Sequence, residues 1–113
     1  MDTNNSVYIN TVDALARIGG NAGLYKKLLG RFLEGNHYEV LVDAISSGDM
    51  DEAARQAHTL KGVSANLSLV KINVLSAEIE QLLKEGSDVA ENMAELKEAF
   101  DATTDEINVI MAE

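Results

Sequence analysis

His58 and Lys61 stand three residues apart, which puts an imidazole and an ammonium on one face of a helix. Gly62 follows at i+4 from His58, and Ala54 and Ala65 lie on the same side at i−4 and i+7. Little side-chain bulk surrounds the histidine. Most surface histidines are ringed by long polar side chains, so this spacing marks a ring that another protein can reach. A neutral imidazole is a good nucleophile, and a histidine reference pKa of about 6.5 leaves much of it neutral at cell pH. A phosphoryl group on a ring nitrogen leaves easily and can be passed on. Lys61 would offset its charge, through the electrostatic stabilisation that governs phosphoryl transfer. Gly62 would let a partner's active site approach. A mid-helix glycine costs about 1 kcal/mol against alanine and tends to have a reason. Taken by itself, Lys61 would read as an ordinary solvated lysine.

Other chemistries fit poorly. A di-iron bundle needs carboxylates from several helices and two Glu-x-x-His pairs. Glu34 stands three before His37, but Arg55 holds that position before His58. No metal site is expected, and His37 reads as a helix surface residue. Ser64 follows His58 by six residues, far around the helix, and there is no Gly-x-Ser-x-Gly turn. A hydrolytic triad is therefore not expected. No glycine-rich phosphate loop is present, so the chain should not bind ATP or phosphorylate itself. Without cysteine, no disulfide or thiolate metal site can form.

The net charge of −10 would repel nucleic acid and anionic membrane surfaces. Arg55 and Lys61 could still form a local basic site beside His58. No apolar run approaches the roughly 18 residues of a membrane span, and the N-terminus lacks the regions of a signal peptide. The expectation is a single cytoplasmic domain over residues 1–113, monomeric and large enough to bury a core.

The elements that must position His58 are helical. Ala, Leu, Glu and Lys are abundant and proline is absent, so the chain reads as all-α. Residues 1–9 carry little pattern and read as a loose lead-in. Asn10 can cap a short helix through about Ile18, with Asp13 near its start and Gly19 and Gly20 at its end. Asn21 opens a longer apolar stripe: Leu24, Tyr25, Leu28, Leu29, Phe32, Leu33, Val40, Leu41, Ala44 and Ile45. Gly35 interrupts it, so residues 21–47 form one helix or two. Gly48 closes the stripe, and Asp49 and Glu52 have the spacing of an N-terminal capping pair.

The helix that follows runs to about Leu67, with Ala53, Ala57, Leu60, Ser64 and Leu67 facing inward. Ser68 reads as a turn residue and cap. The next helix buries Ile72, Leu75, Ile79 and Leu82 and stops at Gly86. Asp88 and Glu91 repeat the capping spacing. The last segment alternates steps of four and three through Val89, Met93, Leu96, Phe100, Thr103, Ile107 and Ile110. The pattern predicts an antiparallel up-down-up-down four-helix bundle with a short N-terminal covering helix.

Ala57 through Leu67 resemble the motif of histidine-containing phosphotransfer (HPt) domains of two-component phosphorelays, roughly Ala-His-x-Leu-Lys-Gly-x-Ser-x-x-Leu-Gly. Ala14 to Phe32 is similar to the family's opening. Gly48 and Asp49 resemble its turn before the histidine helix, and Leu75, Ile79 and Glu80 its next helix. The motif's final glycine is Ser68 here, and serine could cap the following helix instead.

The resemblance implies a stoichiometric phosphoryl carrier rather than an enzyme. His58 would accept the group from an aspartyl phosphate on a receiver domain and donate it to another receiver. Lys61 would stabilise the charge, and Ala54, Arg55, Lys61, Gly62 and Ala65 would meet the partner. The receiver would supply the aspartate and Mg²⁺, and the chain would need no cofactor of its own. The nearest alternative is the phosphotransfer domain of a chemotaxis-type histidine kinase, loaded by an ATP-binding domain. A second alternative is a helical module that binds partners without chemistry.

Overall fold

The structure, a computed structural model, describes residues 6–113. The described residues form six helices: α1 (Thr11–Arg17), α2 (Ala22–Glu34), α3 (His37–Ser46), α4 (Met50–Asn66), α5 (Val70–Lys84) and α6 (Ala90–Ala112). None of them is long and apolar enough to cross a membrane. Asn10, Asn21 and Asp49 cap α1, α2 and α4 as their positions predict, each accepting a hydrogen bond from a backbone N–H three residues on.

Four rods make the bundle, and α2 with α3 form one of them. The 23-residue α6 runs antiparallel along both. Tyr38 of α3 and Phe32 of α2 both pack on Phe100, with ring centroids 5.8 and 5.7 Å away. Lys26, near the start of α2, donates to the carbonyl of Glu113. The rod breaks at Gly35 and Asn36, so residues 21–47 are two helices. Asn36 takes the left-handed region at φ 51°, which a continuing helix cannot accommodate. His37 folds back over the break: a Cβ on Gly35 would lie 2.6 Å from its Nε2. His37 is thus half-buried and stacked on Phe32, centroids 5.2 Å apart, rather than the surface residue expected.

The core follows the predicted stripes with a few departures. Tyr25, Leu29, Leu41, Leu60, Ile72, Ile79, Leu96 and Ile107 are buried. Leu24 and Val40 are exposed instead, and in α5 Leu83 is buried while Leu82 is only partly covered. Asp88 is not the N-cap of α6. Val89 holds that position, and the Asp88 carboxylate accepts from the Ala90 N–H one residue further in. Residues 1–5 of the expected lead-in lie outside the described residues. Ser6 to Ile9 are tied down: Tyr8 accepts from the Val70 N–H at 2.8 Å, Ser6 donates to Glu106, and Ile9 is in the core.

Ser68 corrects the expected cap. It does not cap α5, whose N-cap is Leu69 with no side-chain bond. Ser68 sits in the left-handed region at φ 55°. There its N–H bonds the Ala65 carbonyl while the Leu69 N–H bonds that of Ser64. These two bonds are the glycine-type ending of a helix, and α3 ends the same way at Gly48. Serine tolerates the site because its hydroxyl donates to Asp13 at 2.6 Å. The left-handed backbone costs a non-glycine residue about 1–2 kcal/mol. Ser68→Ala loses the hydrogen bond and keeps the strain, so it should destabilise the domain by about 1–2 kcal/mol. Ser68→Gly loses the same bond but relieves the strain. Urea denaturation should place Ser68→Gly above Ser68→Ala in stability.

Candidate functional site

The turn from Leu67 to Leu69 sets how α4 and α5 face each other, and it is clasped from three sides. The buried Tyr25 hydroxyl of α2 donates to the Leu67 carbonyl at 2.8 Å, and the Asn10 N–H donates to the Ser68 carbonyl at 2.9 Å. The Tyr8 carbonyl accepts from Val70, the first residue of α5. Further along, the Asn73 amide of α5 donates to the Lys61 carbonyl of α4 at 2.8 Å. Ser64 turns inward, as its stripe predicts, and its hydroxyl donates to the Leu60 carbonyl at 2.7 Å.

This register brings Glu80 of α5 against His58 and Lys61 of α4. One Glu80 oxygen, Oε2, lies 3.0 Å from His58 Nδ1, and the other, Oε1, lies 2.8 Å from Lys61 Nζ. Lys84, one turn along α5, brings its Nζ to 2.9 Å from Oε2. The Glu80 side chain is only 6% exposed, whereas that of His58 is 68% exposed. A buried carboxylate survives charged only with partners of this kind. The Lys61 hydrogen bond is the largest cause that holds its carboxyl well below the usual range, at about 2; Lys84 and His58 add to it against the cost of burial.

An ionised carboxylate can only accept hydrogen bonds. In its neutral form His58 therefore carries the proton on Nδ1 and turns the Nε2 lone pair away from Glu80. The arrangement holds the neutral ring in one tautomer and one orientation, with Nε2 turned away from Glu80. Lys61 is not free to solvent, since half-exposed it pairs with Glu80.

The remaining expected residues fall on the same helix. Gly62 is exposed, and a Cβ added there would meet nothing within 4 Å. Ala54 and Ala65 are half-buried, one turn before and two turns after His58 on α4. Arg55 is exposed but its Nε donates to Glu52 at 3.0 Å, so it does not join Lys61 in a basic site. The second cation at the site is Lys84, which sequence reasoning passed over along with the part played by Glu80. The missed signal was a carboxylate inside the inward stripe of α5, between Ile79 and Leu83, with a lysine four residues on.

Glu80 gives the domain a pH signature. Its carboxyl is depressed from 4.5 to about 2, so its share of stability is complete above pH 4.5 and is lost as pH falls through about 2. Glu80→Gln has no such share to lose. The stability gap between wild type and Glu80→Gln, read from urea midpoints, should be widest above pH 4.5 and should narrow towards pH 2.

A family model described as the Hpt domain matches residues 28–106, a span that holds His58, Lys61, Glu80 and Lys84. No curated protein matches the chain and no solved structure does. Matched over well more than half its length, the chain belongs to the Hpt domain family, the phosphocarrier modules of two-component systems, which are not kinases.

Proposed function

We propose that His58 accepts a phosphoryl group on Nε2 from the aspartyl phosphate of a receiver domain and donates it to a second receiver. The observation that carries this reading is the bond from the exposed His58 ring to buried Glu80. In the neutral ring it puts the proton on Nδ1 and leaves the Nε2 lone pair open to a partner.

The step balances without a base. The Nε2 lone pair forms the N–P bond as the bond from phosphorus to the aspartate oxygen breaks, and the electron pair of that bond leaves with the carboxylate. The proton on Nδ1 stays where it is, and the ring becomes an imidazolium. Glu80 faces that new positive charge across the Nδ1 hydrogen bond. Lys61, one turn from His58, is the ammonium nearest in sequence to the incoming phosphoryl oxygens, and its charge offsets theirs. Because the ring is cationic once loaded, the N–P bond breaks readily and the reverse step serves the second receiver. The receiver supplies the aspartate and Mg²⁺; no residue of this chain is asked to hold a metal.

The partner meets the α4 face bearing Ala54, Arg55, Lys61, Gly62 and Ala65. A recessed aspartate reaches His58 only if nothing stands at i+4. The chemotaxis-type arrangement would use the same histidine but load it from ATP through a kinase domain.

A phosphotransfer profile tests the reading. Incubated with a panel of phosphorylated receivers, wild type should take an acid-labile, alkali-stable label from at least one, and His58→Gln should keep its helical circular dichroism and take none. Undiminished label on His58→Gln would remove His58 from the role. Label that comes only from a histidine kinase and ATP, with every receiver failing to donate, would favour the chemotaxis-type arrangement.

Gly62→Gln should move stability and activity in opposite directions. The site is helical and open, so glutamine should stabilise the isolated domain by up to about 1 kcal/mol. The same side chain should cripple receiver-to-HPt transfer by filling the approach to His58. Melting temperature and single-turnover transfer, measured on one preparation, check both signs.

A further inference from the structure

Glu80 is shared by two ammonium groups, and only one of them is on the helix that carries His58. Lys61 takes Oε1, while Lys84 takes Oε2, the oxygen that also receives the His58 Nδ1 proton. In the resting site two ammoniums face one carboxylate. A phosphoryl group on Nε2 brings about two negative charges. The three N–H donors of Lys61 are then divided between Oε1 and the phosphoryl oxygens, which weakens its hold on Glu80.

We propose that Lys84 is a positioning residue, which holds Glu80 in place against His58 while Lys61 turns to the phosphoryl group. The inference rests on the reading of His58 as the phosphoryl acceptor. If Lys61 left a carboxylate with no second cation, Glu80 would be free to swing to solvent or follow Lys61. Nδ1 would then lose its acceptor when the ring becomes positive. Lys84 prevents this from the opposite side. It stands four residues from Glu80 on the same helix, it pairs with the His58-facing oxygen, and its position does not depend on α4. A lysine in the last turn of α5 also complements the helix dipole. That plainer role would affect stability and leave the chemistry at His58 untouched.

The test loads His58 with potassium phosphoramidate, which needs no partner protein. Lys84→Met should accept the phosphoryl group roughly threefold to tenfold more slowly than wild type, as removing one member of a coupled ion-pair network does. It should also raise the share of label on Nδ1, read by NMR of the phosphohistidine, because a displaced Glu80 no longer guards that nitrogen. Lys84→Arg should restore both. Lys84→Gln provides a second neutral variant should Lys84→Met fold poorly. In a Glu80→Gln background, Lys84→Met should add no further loss.

Wild-type rate and isomer ratio in both neutral variants would overturn the proposal while leaving His58 as the acceptor. An equal loss in the Glu80→Gln background would also overturn it, since Lys84 would then act without Glu80. Wild type that takes no label at His58 would overturn both the proposal and the reading beneath it.

Discussion

A carboxylate with little contact with water organises this domain. Glu80 can stay charged at its depth only because three donors from two helices converge on it. That condition is met in the register of α4 against α5 that the Leu67–Leu69 turn sets. It also decides which nitrogen of His58 carries the proton, which faces outward, and where Lys61 rests. The His58 ring itself is largely exposed. Its orientation comes from one hydrogen bond to a group anchored elsewhere, which leaves the ring both accessible and oriented.

The clasp around Leu67–Leu69 serves the same constraint. Three separate parts of the chain reach that turn: the segment before α1, Asp13 of α1, and Tyr25 of α2. They contribute little to the face around His58, but they hold the closed end of the α4–α5 pair. The short N-terminal helix is therefore more than a cover over the bundle. It takes part in fixing the turn from which His58 and Glu80 both extend.

Much of the architecture was legible because its signals are local. Asn10, Asn21 and Asp49 cap the helices that their spacing predicts, and the stripes of α4 and α6 face inward as read. His58, Lys61 and Gly62 could be placed on one face from helical geometry alone. Part of what stayed hidden depended on pairs distant in sequence. Glu80 lies 22 residues from His58, and of its three partners only Lys84 is near it in sequence. Ser68 was misjudged because serine is a common cap, and only the backbone conformation reveals that it stands in for glycine. The pairing of Arg55 with Glu52, one turn before it, was not foreseen because both residues read equally well as solvated charges. His37 was read as a surface residue because the break that turns it back onto Phe32 comes from a left-handed asparagine.

The two inter-helix turns at opposite ends of α5 differ in their attachments. Leu67–Leu69 is bonded to three other parts of the chain. The exposed stretch Glu85–Asp88 closes its hydrogen bonds on the end of α5 and the start of α6. Added length at the first turn must shift His58 past Glu80 or tear the clasp. Added length at the second is absorbed at the surface, where insertions disturb packing least. The molecule thus divides its tolerance for added length unevenly: one hairpin is held to its span by the clasp, and the other is open to insertions, reporter grafts or new termini that leave His58 where it is.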